Sequence, residues 1–240
     1  MSKAALLLFP NVLGDVKHHE IFLPQSVDKA VATIDGLIAE SENAGRRFLG
    51  RFETKKPARE IPIALYNEHS KDDDLDFLLE PIRNGERWGL VSDGGMPCVA
   101  DPGSKLVFRA QKLGIAVQAF VGPSSIFLGL MLSGLPGQRF AFHGYISKEN
   151  EQKRQQITQW EKRAKTERAT QIFIEAPYRN KATLEALLET LSDNMLLCLA
   201  WDLTLPTQRV LTQTVEQWKK SPLPNIEKKP TLFLFNSLRS

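Results

Sequence analysis

The sequence predicts an α/β protein made of two α/β domains. Three observations carry that prediction. A continuous apolar run at Ala4–Phe9 reads as a strand buried on both faces, as parallel sheets require, Trp88–Val91 as a buried strand and Ile61–Tyr66 as a short strand. They alternate with stretches of helical apolar spacing. Two of them end in loops of Gly, Pro, Asn and Asp, the place where open α/β sheets hold ligands.

The elements follow in order. Ala4–Phe9 is the first strand, and Pro10-Asn-Val-Leu-Gly-Asp15 is the loop after it. Ser26–Glu42 has one apolar stripe of Val27, Ala30, Val31, Ile34, Leu37 and Ile38, which predicts a helix with Ser26 as its N-cap. Asn43–Phe52 reads as basic and irregular. A strand at Ile61–Tyr66 follows, then a helix at Leu75–Asn84 whose amino end Lys71-Asp-Asp-Asp74 would cap and solvate. The strand Trp88–Val91 runs into the long loop Ser92–Gly103, which carries Gly94, Gly95, Pro97, Pro102 and Gly103. Such a loop is heavily constrained, since glycine opens positive φ and proline fixes φ. A helix at Ser104–Leu113 and a strand at Ile115–Val121 complete the first half.

Gly122-Pro-Ser-Ser125 breaks the alternation, and the domain boundary is placed there: residues 1–121 and 122–240. An apolar helix begins at Ser125. Phe140–Ile146 is strand-like. Lys148–Arg168 is charged and helical with few core positions. Its seven cations against four glutamates give an excess equal to the chain's net charge of +3, which makes it a candidate phosphate contact. Ile172–Ile174 is a strand opening onto Glu175-Ala-Pro-Tyr-Arg179. Lys181–Leu191 is a helix, Leu196–Trp201 and Arg209–Thr214 are strands, and the last strand follows Pro230.

Composition bounds the function. With 42% hydrophobic and 25% charged residues the chain of 240 has enough apolar content for a core, which argues against disorder. The weak positive charge permits an RNA partner without requiring one. Cys98 and Cys198 lack companions at ligand spacing, so a reducing compartment and no metal site are expected. His18-His19 reads as a surface loop, because adjacent side chains do not converge on one ion. No apolar run approaches the roughly 20 residues of a membrane helix. The start, Met1–Pro10, does not read as a signal peptide, so a cytoplasmic protein is expected. A dinucleotide G-x-G-x-x-G is absent after the first strand.

Six motifs occur in one order: Pro10–Asp15, Ser92–Gly103, Gly122–Ser125, Ser133–Pro136, Phe142–Tyr145 and Glu175–Arg179. Together they resemble the tetrapyrrole methylase superfamily of S-adenosylmethionine (AdoMet) methyltransferases, over nearly the whole chain. The long S-D-x-G-x-P-x-x-x-D-P-G pattern is the specific part. Within the superfamily the similarity is greatest to the RsmI-like branch, which methylates a cytidine ribose 2′-oxygen of small-subunit ribosomal RNA. The resemblance implies a two-domain tetrapyrrole methylase (class III methyltransferase) fold, with a mostly parallel sheet in the N-terminal domain and a mixed one in the C-terminal domain. It also implies AdoMet as cofactor in a cleft between the domains, and a homodimer.

Residue by residue, the resemblance assigns cofactor binding to Leu13, Asp15, Gly94, Met96, Val99, Ser124, Ser125, Ala176, Pro177, Pro230 and Thr231. A ribose hydroxyl acceptor loses a proton, so a nearby base or water path would help, and Glu40, Glu68 and Glu175 are the candidate bases. Each has an ordinary alternative: a helix-end carboxylate, a loop solvator, and a partner for Arg179. Arg46, Arg47, Lys153, Arg154 and Arg179 are candidate RNA contacts, against surface salt bridges. Asp93 and Asp101 are read as holding the loop's shape. The branch usually has A-E-D-T-R where this chain has Ala39-Glu-Ser-Glu-Asn43, and E-L-T-K where it has Asp202-Leu-Thr-Leu205. The chain is also shorter at its carboxyl end than many branch members. A macrocycle methylase and a non-catalytic AdoMet-binding protein are the competing readings.

Overall fold

The computed structural model describes residues 3–71 and 73–237. Met1, Ser2 and Asp72, parts of two stretches discussed above, lie outside the described residues. The chain divides into two compact units, Met1–Ser124 and Ser125–Ser240.

The first unit is a five-stranded sheet in the order β3-β2-β4-β1-β5. Its strands are β1 (Ala5–Phe9), β2 (Gly36–Ala39), β3 (Ile63–Leu65), β4 (Arg87–Val91) and β5 (Val117–Ala119). Every pairing is parallel. All five carboxyl ends therefore lie at one edge. The connecting helices are α1 (Gln25–Val31), α2 (Glu42–Leu49), α3 (Asp74–Arg83) and α4 (Ser104–Lys112). Two apolar clusters pack the unit. One gathers Phe9, Val27, Ile34, Phe48 and Leu49, the other Leu6, Ile38, Leu79, Trp88 and Leu106. Each large side chain fully buried there contributes about 1.5–3 kcal/mol.

The second unit is a mixed sheet in the order β6-β7-β10-β8-β9. Its strands are β6 (Phe140–Tyr145), β7 (Thr170–Ile174), β8 (Met195–Trp201), β9 (Arg209–Thr214) and β10 (Thr231–Ser237). Only β6 and β7 are parallel; the other pairs are antiparallel. The helices are α5 (Ser125–Ser133), α6 (Asn150–Glu167), α7 (Asn180–Thr190) and α8 (Val215–Lys220). Phe173, Phe233, Trp160, Leu187 and Trp218 centre its core.

Several local expectations need correction. The single helix over 26–42 is instead α1 followed by strand β2. Its apolar stripe fits both periods, and Thr33–Gly36 breaks it. Gly36 is required there: a Cβ would stand 2.4 Å from the Trp88 ring. Asp35 accepts from the Arg87 backbone N–H at 2.9 Å and sets the register of β2 beside β4. Ser26 is no cap, because α1 starts at Gln25 with Pro24 before it. The basic stretch from Asn43 is mostly helix α2, capped by Ser41, whose hydroxyl accepts from Ala44 N–H at 3.2 Å. Helix α6 buries more than its composition suggests, including Lys153, Ile157, Trp160, Glu161 and Ala164. His19 is not a surface residue; it packs on the Phe52 ring and bonds Asp28 at 2.7 Å. Helix α8 went unread although Thr214 and Gln217 form a capping box. No described helix is long and apolar enough to cross a membrane.

Candidate ligand-binding edges

At the carboxyl edge of the first sheet, the loops after β1 and β4 are sewn together by Asn11. Its N–H donates to the Gly95 carbonyl at 2.7 Å, and Gly95 N–H returns the bond at 3.1 Å. The Asn11 carboxamide donates to the carbonyls of Ser92 and Asp93 at 3.0 and 3.2 Å and accepts from Val12 N–H at 2.9 Å. In the sequence Asn11 shows only as a turn former. This double bond-exchange puts Leu13 against Gly95: a methyl added at Gly95 would lie 3.3 Å from Leu13 and 3.7 Å from the Pro123 carbonyl, which belongs to the loop after β5. Three loops therefore converge. Gly94 and Met96 are half-buried, Val99 and Asp15 exposed, and Ser124 buried. The long loop is also strained, with Cys98 and Ala100 at φ of 69° and 66°. Non-glycine residues held there are characteristic of ligand-binding segments.

Carboxylates crowd the same edge. Glu40 follows β2 and accepts from Asp93 N–H at 3.1 Å. Burial pushes its carboxyl up, and the charges of Asp93 and Glu68 push it further. Asp101 is pushed up to about 6, first by burial and then by Glu40 and Asp93, against a hydrogen bond with Ser92. Asp93 meets the loop after β2 through its backbone N–H rather than its carboxylate, and Asp101 has an electrostatic role beyond holding the loop's shape. Glu68 itself is exposed and acts on Glu40 only through its charge. An edge with self-repelling carboxylates favours a cationic ligand, and a carboxylate near pH 6 is a better proton acceptor than an ordinary one. Cys98 is raised to about 11 by burial and Asp101, so its thiol is inert at neutral pH.

The second unit has a comparable edge. The register Leu232–Ile174, Thr231–Trp201 and Tyr145–Ile174 brings the ends of β6, β7 and β8 to the start of β10. Glu175, with its side chain fully buried, accepts from Ala176 N–H at 2.7 Å, Arg179 Nε at 2.9 Å and Thr183 Oγ1 at 2.9 Å. Lys153 Nζ lies 3.7 Å from it and donates to Thr183 at 3.0 Å. Burial opposes ionisation of Glu175, but these bonds, led by Arg179, hold its carboxyl below the usual range. Glu175 is thus an anchored carboxylate, not a free base. Lys153 is buried and cannot reach a phosphate; the helical face it occupies is the core side of α6. Ala176 and Pro177 are half-buried beside it, and Pro230–Thr231 leads into β10.

The turn Asp202–Thr204 completes this edge and was read only as a departure from a motif. Asp202 and Thr204 both have positive φ. Asp202 N–H donates to the Pro230 carbonyl at 3.2 Å, and Lys229 Nζ lies 3.4 Å from its carboxylate. Two buried side-chain oxygens here, Asn180 Oδ1 and Thr204 Oγ1, have no hydrogen-bond partner.

The remaining basic candidates separate clearly. Arg46 donates to the carbonyls of Ala58 and Ile61, both at 2.7 Å, and so holds the chain rather than a ligand. Arg154 pairs with Glu189 at 2.8 Å, and Arg163 and Lys165 of the same helix are also paired. Arg179 is committed to Glu175. Arg47 is exposed and has Arg51 as a like-charged neighbour. Among the described residues no cluster of three metal-ligating side chains occurs.

A family model of tetrapyrrole (corrin/porphyrin) methylases matches residues 12–219. Ribosomal RNA small subunit methyltransferase I of Halalkalibacterium halodurans is 33% identical over 198 residues, covering 81% of this chain and 62% of that protein. The protein of the same name from Thermotoga maritima is 30% identical over 165 residues, covering 69% of this chain and 70% of its own. The chain spans 62% and 60% of the length of the Halalkalibacterium and Bacillus subtilis relatives. Among solved structures, the methyltransferase CobJ superposes with a TM-score of 0.65 at 17% identity, covering 98% of this chain and 95% of that one. The cobalt precorrin-4 methyltransferase CbiF gives 0.63 at 12% identity, covering 97% and 95%.

Proposed function

The chain belongs to the tetrapyrrole (corrin/porphyrin) methylase family, and from that premise we propose that it is an AdoMet-dependent methyltransferase acting on a ribose 2′-hydroxyl of small-subunit ribosomal RNA. The observation that carries the reading is the convergence of the loops after β1, β4 and β5, joined through Asn11 and Gly95, beside the carboxylates Glu40 and Asp101. The similarity to small-subunit ribosomal RNA methyltransferases supports the choice of acceptor.

The residues present fit the cofactor. AdoMet is cationic at sulfur and carries a purine, so it needs small residues, backbone polar groups and a favourable negative potential. The carboxylate edge of the first unit supplies that potential. Gly94, Met96 and Val99 are proposed to approach the methionine and ribose portions, with Leu13, Asp15, Ser124 and Ser125 as further cofactor contacts. Ala176, Pro177, Pro230 and Thr231 are assigned to the adenine, and the unpartnered Thr204 hydroxyl in the same edge suits a polar ligand atom. When bound, AdoMet supplies an activated methyl group. The chain's own part is to position the acceptor and take its proton. Glu40, with Asp101 beside it, is the proposed base; Glu68 tunes it by charge. Arg47, next to Arg51, is the proposed phosphate contact in the first unit. The protein is further proposed to be cytoplasmic and homodimeric, the latter supported by the exposed apolar residues Phe127, Met131 and Leu132 of α5.

The test is methyl transfer from tritiated AdoMet to undermethylated small ribosomal subunits, run beside uroporphyrinogen. Counts in RNA that vanish with Glu40→Gln support the reading. Counts only in the macrocycle, or none despite cofactor binding, overturn it.

A further inference from the structure

We infer that Asn180 is a positioning residue for the cofactor-binding edge of the second unit, its carboxamide holding the Ala176–Tyr178 turn and the entry to β10 as one surface. The inference rests on the proposal that these two segments hold the adenine of AdoMet.

Asn180 is the first residue of α7 and is 0% exposed. Its Nδ2 lies 3.0 Å from the Ile226 carbonyl, 2.8 Å from the Lys229 carbonyl and 3.0 Å from Thr231 Oγ1. Thr231 Oγ1 in turn donates to the Lys229 carbonyl at 3.0 Å. One amide group thus gathers three oxygens from the six residues that lead into β10. A second tie runs in parallel: Lys228 N–H donates to the Pro177 carbonyl at 3.2 Å, with Lys228 at φ 59°. On its other side the turn is fixed by Glu175, which bonds Ala176 N–H and Arg179 in the segment between β7 and α7. Glu175 sets the turn on its own strand; Asn180 reaches across to the other segment.

The chemistry favours asparagine alone. Aspartate would face three acceptor oxygens without a proton to give. Leucine would take both N–H donors away from those oxygens. Asparagine meets them but leaves its own Oδ1 buried with no partner, which is costly in a core. A side chain serving only to fill space would not carry that cost. What it secures is a fixed spacing between Pro177 and Thr231, and a rigid slot binds a flat ring better than one that must be ordered on binding. The expected signature is a loss of cofactor affinity with little change in turnover once cofactor saturates, because the proposed base lies in the other unit.

The experiment compares wild type with Asn180→Ala, Asn180→Ser and Leu187→Ala, the last a core truncation in the same helix. S-adenosylhomocysteine binding is measured by calorimetry, amide hydrogen exchange by mass spectrometry, and KM and kcat for AdoMet by methyl transfer. Asn180→Ala is expected to weaken binding and raise KM about tenfold, with kcat within about threefold. Exchange at Tyr178 and at Lys228–Thr231 should accelerate together. Asn180→Ser, which keeps one donor, should fall between and covers the case in which the alanine variant does not fold. Leu187→Ala should lower stability yet leave affinity within about twofold. Unchanged affinity in both Asn180 variants, or equal weakening by Leu187→Ala, overturns the positioning role alone. Absence of binding by wild type overturns it together with the proposed function.

Discussion

At the scale of single residues the carboxylates Asp101 and Glu175 behave oppositely, and the difference is measurable. Asp101 is raised to about 6 from an ordinary 3.8. A carboxyl raised on folding leaves stability intact below its unfolded value and removes it as pH rises through the folded one. Asp101→Asn should therefore raise the melting temperature at pH 8 by about 2–4 °C, screening included, and change little at pH 4. Scanning calorimetry at the two pH values checks this. The same carboxyl should make AdoMet binding weaken from pH 7.5 to 5.5, as Asp101 gains a proton and the edge loses negative charge. S-adenosylhomocysteine, which has no sulfonium, should weaken less; calorimetric titrations of both ligands decide. Glu175 has the reverse sign. Its carboxyl is held low, so its contribution is present above its ordinary value and lost as pH falls through the folded one. Lys153→Met would leave it Arg179 as its remaining cation and should cost about 2–4 kcal/mol by urea denaturation.

At the scale of elements, β2 shows what a sequence does and does not disclose. The apolar positions Val27 to Ile38 satisfy a helical period, yet Leu37 and Ile38 form a strand because β3 and β4 are there to pair with it. Gly36 marks the switch, since any side chain there meets Trp88. Gly36→Ala should displace that ring and cost about 1–3 kcal/mol, with a matching change in tryptophan fluorescence. Strands with continuous apolar runs, such as β1, β4 and β8, were legible because burial on both faces leaves one pattern. The loops after β1 and β4 were legible from their glycines and prolines. The contact that joins them was not, because Asn11 bonds backbone groups more than 80 positions away. Lys153 misled for the opposite reason: composition cannot tell the core face of a charged helix from its solvent face. Asn180 and Thr204 carried no signal at all, since their importance lies in which oxygens they meet or fail to meet.

At the scale of the whole molecule, each unit closes a core from its own residues, and α5 is one of the places where apolar surface stays exposed. That helix has no charged residue, and Phe127, Met131 and Leu132 are 50, 77 and 48% exposed. Phe140 of β6, also exposed, packs edge-on against Phe127 at 6.0 Å. Thr212 of β9 donates to the Ser133 carbonyl at 2.7 Å and ties the helix end to the sheet. An apolar face of this kind suits a second copy of the chain. In a two-fold dimer every residue near the axis is used twice, so one substitution is felt twice. Burying one such side chain is worth about 1.5–3 kcal/mol, and a charge in its place removes that gain and adds a desolvation cost. If the proposed dimer uses this face, Met131→Asp combined with Leu132→Lys should yield a species of the 27.0 kDa chain mass by sedimentation equilibrium. The circular dichroism spectrum should not change, because both side chains lie outside the core. A wild-type protein that sediments as a monomer at micromolar concentration would refute the dimer, and a double variant that stays dimeric would move the interface away from α5.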